Sequence, residues 1–179
     1  MLRSFRVDVV EVRLPSHLND ISALILPGGE STTLMSLLRR WDLVEPIRHL
    51  ADSGVPIWGT CAGAILLSSE VTEKEHRIEQ SSLGLARVRA VRNAFGRQIH
   101  SFQEDLSIAG LSGPFPGVFI RAPFLEPLSP EVEVLCHVRE SPVLLRDRNL
   151  WLSSFHPELT SDVRLHELFL RESGVLPVG

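Results

Sequence analysis

The sequence predicts an α/β protein with an open, mainly parallel sheet covered by helices in three layers. In the first half of the chain, short apolar runs alternate with amphipathic stretches, and glycine or proline bounds the runs. In the second half, strands predominate, and two of them flank the turn at residues 146–149. A hairpin there gives the C-terminal portion an antiparallel character. The length of 179 residues fits a single domain, spanning residues 1–179.

The first half of the chain predicts three strands and three helices, in the order strand, strand, helix, helix, strand, helix. The strands at residues 21–26 and 55–58 are continuous apolar runs, as in a sheet that is buried on both faces. The strand at residues 7–12 alternates in part between apolar and polar residues. The first helix is predicted from a stripe of Leu34, Leu37, Leu38 and Trp41, with the hydroxyl side chains of residues 31–33 as N-caps. The predicted strands are residues 7–12, 21–26 and 55–58, and the other helices are residues 44–52 and 62–69.

The second half begins with a polar stretch at residues 71–82, which we interpret as an exposed loop. Apolar and β-branched runs then predict a series of strands. These are residues 83–91, 118–120, 132–138, 143–145 and 150–155. A final helix is capped by Ser161 and Asp162 and ends at Glu172.

Composition excludes several functional classes. The formal charge is −4 and no basic run is present, so nucleic acid is a poor candidate partner. No apolar stretch has the length of a membrane span, and residues 1–6 lack the apolar core of a secretory signal. Cys61 and Cys136 cannot form a disulfide framework. We therefore expect a soluble protein of the reducing cytoplasm.

One motif places a cysteine between a predicted buried strand and a predicted helix. Residues 59–63 read GTCAG, and the small residues on either side of Cys61 permit a sharp strand-to-helix turn. Such a turn presents the sulfur at the carboxyl edge of the sheet, where the positive end of the helix dipole favours the thiolate. The alternative is a structural cysteine buried among small residues at a tight junction.

Two further motifs also follow predicted strands. Residues 27–32 read PGGEST, and backbone N–H groups in such a glycine turn can face an anion or a developing oxyanion. His156 and Glu158 share one face of an extended segment, so the carboxylate can fix the tautomer of the imidazole. Taken separately, each motif is better explained structurally, the first as a glycine turn before a capped helix and the second as a His-Pro turn with an exposed glutamate. The remaining histidines show no metal-ligand spacing, so no metal site is predicted.

The three motifs together indicate acyl transfer. The carboxyl ends of parallel strands meet at one edge of a sheet, so the thiol, the N–H-rich loop and the His-Glu pair are expected to converge. A nucleophile, oxyanion donors, a base and an orienting acid are the groups that this reaction needs.

Five motifs in order resemble one family. The chain resembles the glutaminase subunit of pyridoxal 5′-phosphate synthase, a class-I, triad-type glutamine amidotransferase. GTCAG and the HPE sequence indicate the superfamily, whereas RNAFGRQ and FIRAP indicate the branch. The motifs are residues 27–32 (PGGEST), 59–63 (GTCAG), 92–98 (RNAFGRQ), 119–123 (FIRAP) and 154–160 (SFHPELT).

The resemblance implies a mechanism and its residues. Cys61, His156 and Glu158 would form a triad that hydrolyses glutamine through a γ-glutamyl thioester, with an oxyanion held by the backbone N–H groups of Gly29 and Ala62. It implies no cofactor, and a separate synthase subunit that receives the ammonia. The implied glutamine-binding residues are Gly29, Glu30, Ser31, Arg92, Ile120 and Arg121.

The chain departs from the family pattern in two places. Residues 71–82 are longer than expected, which lengthens a surface loop. The family opens with an apolar strand and a Leu-Gln-Gly loop, whereas residues 1–5 resemble the end of the helix that follows. We therefore expect that the first strand is missing and that the natural protein begins upstream of Met1.

Three alternatives stay open at this stage. The first is a truncated, non-catalytic module that binds glutamine or a partner. The second is a glutaminase subunit of another amidotransferase. The third is a cysteine redox sensor, which the His-Glu pair disfavours because a sensor needs neither base nor acid.

Overall fold

The computed structural model describes residues 1–73, 76–77, 81–92 and 101–177. Four helices and eleven strands lie in these ranges. In chain order they are β1 (Leu24–Leu26), α1 (Ser31–Arg40), α2 (Val44–Asp52), β2 (Ile57–Thr60), α3 (Ala62–Leu67), β3 (Ser68–Glu73), β4 (His76–Arg77), β5 (Ala86–Arg92), β6 (Ser101–Leu106), β7 (Phe115–Ile120), β8 (Phe124–Pro127), β9 (Glu133–Val138), β10 (Ser141–Asp147), β11 (Leu150–Ser153) and α4 (Arg164–Glu172). Short 3₁₀ turns occupy Leu2–Phe5, Pro15–Leu18 and Pro157–Leu159. No helix in these ranges is long and apolar enough to span a bilayer.

The central sheet has five strands in the order β1-β2-β11-β10-β9. The pairs β1–β2 and β2–β11 are parallel, whereas β10 pairs antiparallel with both β11 and β9. The predicted open α/β fold and its antiparallel C-terminal portion are thus confirmed, but the central sheet is mixed, with two parallel and two antiparallel pairs, and not mainly parallel. A four-stranded mixed sheet, β4-β3-β5-β8, and the antiparallel pair β6–β7 complete the described strands.

Two hydrophobic clusters cover the two faces of the central sheet. Neighbouring residues of one strand point to opposite faces, and Ile57 belongs to one cluster while Trp58 belongs to the other. Leu152 and Trp151 divide in the same way on β11. Helices α1, α2 and α3 pack on the Ile57 side, and α4 packs on the Trp58 side. This is the predicted three-layer arrangement.

Two predicted elements were wrong, the strand at residues 7–12 and the loop at residues 71–82. Residues 7–12 form no strand, because β1 is the edge of its sheet and pairs only with β2 among the described strands. Val12 packs against the core without joining the sheet. The predicted loop at residues 71–82 begins instead as the end of β3, which pairs with β5 and buries Val71. Residues 74–75 and 78–80 lie outside the described part.

Helices α1 and α3 also differ in detail from the predictions. The N-cap of α1 is Glu30, whose carboxylate accepts hydrogen bonds from the N–H groups of Thr32 and Thr33. Met35 is the buried apolar residue of α1, and Leu34 and Leu38 of the predicted stripe pack against the same core. The other two residues of that stripe, Leu37 and Trp41, are 44% and 48% exposed. Helix α3 ends at Leu67, because the chain turns there into β3.

The last helix starts later than predicted. Val163 occupies the N-cap position of α4 and makes no side-chain cap. The carboxylate of Asp162 still accepts a 3.0 Å hydrogen bond from the N–H of Arg164. Arg164 also donates to the carbonyls of Ser112 and Pro114, directly before β7. The start of α4 is therefore hydrogen-bonded to the segment that leads into β7.

Candidate active site

Cys61 lies on a tight turn between β2 and α3. Its backbone angles are φ 49° and ψ −101°, a left-handed φ that places the side chain outside the strand-helix path. A Cβ on Gly59 would collide with the backbone of Gly63, and one on Gly63 would collide with the carbonyl of Leu26. The two glycines flanking Cys61 are therefore sterically required by this turn.

The backbone and sulfur of Cys61 are both held by neighbouring strands. Its N–H donates a 2.7 Å hydrogen bond to the carbonyl of Ser153, at the end of β11. Its Sγ lies 3.8 Å from the carbonyl oxygen of Ile120, at the end of β7. Only 6% of Cys61 is exposed.

His156 follows β11 and is oriented by two contacts. Its N–H donates to the carbonyl of Val118 at 2.8 Å, and its Nδ1 lies 2.7 Å from Oε1 of Glu158. A hydrogen bond with the side chain of Cys61, and then the one with Glu158, raises the pKa of His156 to about 10 from an ordinary 6.5. The imidazolium is thus favoured while it lies between a sulfur and a carboxylate.

Glu158 lies on the 3₁₀ turn Pro157–Leu159, two residues beyond the histidine. Its side chain is 44% exposed. Burial by itself raises the pKa of Glu158, but the hydrogen bond with His156 outweighs it and leaves the pKa below its usual value. The carboxylate therefore stays ionised and fixes the proton of the imidazole on Nδ1.

The loop at residues 27–30 passes directly against the imidazole. A Cβ on Gly28 would lie 2.5 Å from Cε1 of His156 and 3.7 Å from Cβ of Cys61. Gly29 has φ 140°, in the region that favours glycine. Sequence reasoning singled out Gly29 and missed Gly28, although the pair of glycines in PGGEST was the available signal.

Two of the three charged residues predicted for glutamine binding, Arg92 and Glu30, face each other. Nη2 of Arg92, at the end of β5, lies 3.6 Å from Oε1 of Glu30. The Glu30 carboxylate also accepts hydrogen bonds from the hydroxyl and N–H groups of Thr32 and Thr33, and these lower its pKa to about 2. Ser31, which begins α1, is buried.

The remaining predicted binding residues lie at the end of β7. Ile120 is 39% exposed and turns its carbonyl towards Cys61. Arg121 has φ 45°, so the chain bends sharply as it leaves the strand. Of the RNAFGRQ motif, only Arg92 is described, and residues 93–98 lie outside the described residues.

Two residues singled out from the sequence remain, the predicted oxyanion donor Ala62 and the second cysteine, Cys136. Ala62 is the first residue of α3, so its N–H lies at a helix N-terminus beside Cys61. Within the described residues, no group of three or more His, Cys, Asp or Glu side chains could hold a metal ion. Cys136 lies in the core at 3% exposure, and burial raises the pKa of its thiol to about 11.

The sheet order, the strand-helix turn and the cysteine, histidine and glutamate at its edge define a class of protein, the glutamine amidotransferases. A solved structure described as "Crystal structure of glutamine amidotransferase" superposes with a TM-score of 0.89 at 46% identity, covering 97% of this chain and 90% of that one. The chain belongs to the SNO glutamine amidotransferase family, whose model matches residues 2–174.

Curated relatives carry one shared name. "Pyridoxal 5′-phosphate synthase subunit PdxT" of Moorella thermoacetica is 45% identical over 97% of this chain and 90% of its own length. The protein of the same name from Herpetosiphon aurantiacus is 49% identical over 95% of this chain and 90% of its own length. The family predicted from the five motifs is thus confirmed. The structure of PurLQS from Thermotoga maritima, at 19% identity and a TM-score of 0.59, shares the fold.

Proposed function

We propose that this protein hydrolyses L-glutamine to L-glutamate and ammonia, as the glutaminase subunit of a pyridoxal 5′-phosphate synthase. The observation that carries the proposal is the continuous line of hydrogen bonds from Cys61 through His156 to Glu158. The names of relatives that match nearly the whole chain supply the biosynthetic context.

The first half-reaction forms a thioester. The thiolate of Cys61 attacks the side-chain carboxamide carbon of glutamine, and the resulting tetrahedral intermediate carries a negative oxygen. Imidazolium His156 donates its proton to the departing nitrogen, so ammonia leaves when the C–N bond breaks. The product on the enzyme is a γ-glutamyl thioester, and His156 is now neutral.

The second half-reaction releases glutamate. Neutral His156 removes a proton from water, and the hydroxide adds to the thioester carbon. The second tetrahedral intermediate collapses, the C–S bond breaks and Cys61 returns as the thiolate beside an imidazolium. Glu158 stays ionised throughout, because its task is to orient the ring and stabilise the imidazolium.

Two backbone N–H groups are assigned to the oxyanion. Ala62 begins α3, where the first N–H groups have no partner within the helix, and Gly29 belongs to the loop that contacts the imidazole. Donors of this kind act on charge that develops in the transition state, and losing one typically costs about 10²–10³ in rate.

Glutamine binding is assigned to residues of the loop before α1 and of the ends of β5 and β7. Gly29, Glu30 and Ser31 would contribute from the loop before α1, and Ile120 and Arg121 from the end of β7. Arg92 would face the substrate while paired with Glu30. The carboxylate of Glu30 already accepts four hydrogen bonds from Thr32 and Thr33, so we assign it to shaping the loop and holding Arg92.

Ammonia released at Cys61 would pass to a separate synthase subunit, so the working enzyme would be a hetero-oligomer. This chain needs no cofactor for the glutaminase step. A reducing, cytoplasmic compartment suits a mechanism that requires Cys61 as a free thiol.

The test is a glutaminase assay on the chain mixed with its synthase subunit, with labelled glutamine. Cys61→Ser should abolish glutamate release, whereas Cys136→Ser, which alters the buried core cysteine, should leave the rate nearly unchanged. Glutamate release that persists in Cys61→Ser would refute the mechanism. Glutamine binding by calorimetry with no turnover in the assembled complex would instead indicate a non-catalytic binding module.

A further inference from the structure

The backbone at Gly28 gives no conformational reason for glycine. Its φ lies outside the left-handed region, unlike that of Gly29, so an alanine fits the backbone at this position. The reason for glycine at residue 28 must come from its surroundings rather than from the turn itself.

The surroundings of Gly28 are the imidazole of His156. An added Cβ would lie 2.5 Å from Cε1 and 3.0 Å from Nδ1 of the ring, and a carbon contact needs about 3.5 Å or more. The same Cβ would lie 3.7 Å from Cβ of Cys61, an ordinary contact. The steric conflict therefore falls on the histidine and spares the cysteine.

The imidazole has little freedom to yield. Its own backbone N–H is bound to Val118, and its Nδ1 is bound to Glu158 at 2.7 Å. A side chain at residue 28 would push the ring on the side of Cε1, next to Nδ1, while these two contacts hold the residue in place. A shift of the ring away from residue 28 would disturb its contacts with Glu158 and Cys61.

We propose that Gly28 is a positioning residue, whose missing side chain leaves the space that the His156 imidazole occupies between Cys61 and Glu158. The inference rests on the proposed function, because it assigns a role within the same triad. It goes beyond the oxyanion role of the neighbouring Gly29, since it concerns the histidine and not the substrate oxygen.

The proposal predicts that a side chain at residue 28 lowers the catalytic rate and leaves glutamine binding nearly unchanged. Gly28→Ala should lower kcat by about 10²-fold, since misplacement of a reacting group by 1 Å has an effect of this size. The KM for glutamine should stay within about threefold, because kcat and KM separate when only the transition state is affected. A variant that merely unfolds would lose both activity and its cooperative melting transition.

Alkylation of Cys61 by iodoacetamide in the 179-residue protein, read by mass spectrometry of the Cys61 peptide, tests the proposal. It needs neither glutamine nor the synthase, so its outcome is independent of the proposed function. The wild type, Gly28→Ala, His156→Asn and the double variant are compared at pH 7. Gly28→Ala should slow alkylation in the wild-type background, and should have no further effect in the His156→Asn background.

Two results would overturn the proposal. One is a Gly28→Ala protein that is alkylated at the wild-type rate. The other is an equal slowing of alkylation by Gly28→Ala with and without His156, which would show that the methyl group acts on Cys61 directly. NMR titration of the imidazole adds a spectroscopic readout, because displacement from Cys61 should lower the pKa of His156 from about 10 towards 6.5.

Discussion

The N–H of Cys61 donates a 2.7 Å hydrogen bond to the carbonyl oxygen of Ser153. This bond continues the parallel pairing of β2 with β11 by one residue, past the register Ser153–Thr60. His156 follows Ser153 by three residues in the chain, so the pairing that places Cys61 also determines where the histidine begins. The distance between nucleophile and base is therefore built into the central sheet, and β7 adds a second support through Val118.

The first prediction concerns the orientation of His156 by Glu158. Glu158→Gln should lower kcat by about 10²–10⁴-fold, since replacing the orienting carboxylate of a triad by an amide has effects of this order. The pKa of His156 should fall from about 10, because one of the two hydrogen bonds that raise it loses its charge. Both changes are measured from the pH dependence of kcat. Glu167→Gln, which alters an ion pair with Arg171 on α4, is the matched control and should retain activity.

The second prediction concerns the buried carboxylate of Asp147. It is fully buried at the end of β10 and accepts hydrogen bonds from the backbone N–H and the guanidinium of Arg87 on β5. These hydrogen bonds join the five-stranded sheet to the four-stranded sheet. Asp147→Asn should lower the free energy of unfolding by about 1–3 kcal/mol, the usual effect of disrupting a buried hydrogen-bonded group. Urea denaturation at pH 7 measures it. Glu131→Gln, which pairs with Arg87 at the surface, should change little.

The same carboxylate predicts a pH dependence. Burial raises the pKa of Asp147, but the hydrogen bonds from Arg87 outweigh burial and leave the pKa below its ordinary 3.8. The folded state therefore releases this proton more readily than the unfolded state, so the stabilisation is complete above pH 3.8 and is lost as the pH falls through the folded-state pKa. The Asp147→Asn protein should lack this acid-side loss, which thermal melts between pH 2 and pH 5 can show.

The parts of the fold that the sequence could predict are those with a local signal. Helix α2 was predicted with its observed bounds, and the hairpin of β10 and β11 was recognised from its turn. The convergence of Cys61 with His156 also followed, because parallel strands must end at one edge. These features depend on residue types a few positions apart.

The parts that were missed depend on contacts between distant segments. Residues 7–12 have the alternation of a strand, but a strand also needs a partner, and β1 pairs only with β2 in the described sheet. Val71 ends up in a strand despite its polar neighbours because β5 is available beside it. Gly28 is explained only by the imidazole of His156, far along the chain. No periodicity reports such a partner.

The third prediction concerns Glu30 as the cap of α1. Glu30→Ala should lower the free energy of unfolding by about 1 kcal/mol, the typical value of a side-chain N-cap. It should also raise the KM for glutamine, because Arg92 loses the carboxylate that lies 3.6 Å from its guanidinium. Chemical denaturation and steady-state kinetics measure the two effects separately. Glu45→Ala, in the first turn of α2, is the control, and a rise in KM there would contradict the assignment.

The last prediction concerns His166, a buried histidine of α4 that the proposed mechanism does not use. It is 5% exposed, its ring centroid lies 5.1 Å from that of Trp58, and its Nδ1 has no hydrogen-bond partner among the described residues. Burial lowers the pKa of His166 from 6.5 to about 4. The carboxylate of Glu158 acts in the opposite direction, and the amino group of Met1 lowers the pKa further.

The sign of the His166 effect follows from proton counting. Between pH 4 and pH 6.5 the unfolded chain binds this proton and the folded protein does not, so stability rises with pH across this window and is lost as the pH falls. His166→Phe should therefore flatten the pH dependence of unfolding by on the order of 2–3 kcal/mol across the window. Urea denaturation at pH 4.5 and pH 7.5 compares it with His137→Phe, an exposed position. Equal slopes for wild type and His166→Phe would contradict the prediction, because they would mean that His166 binds its proton equally well in both states.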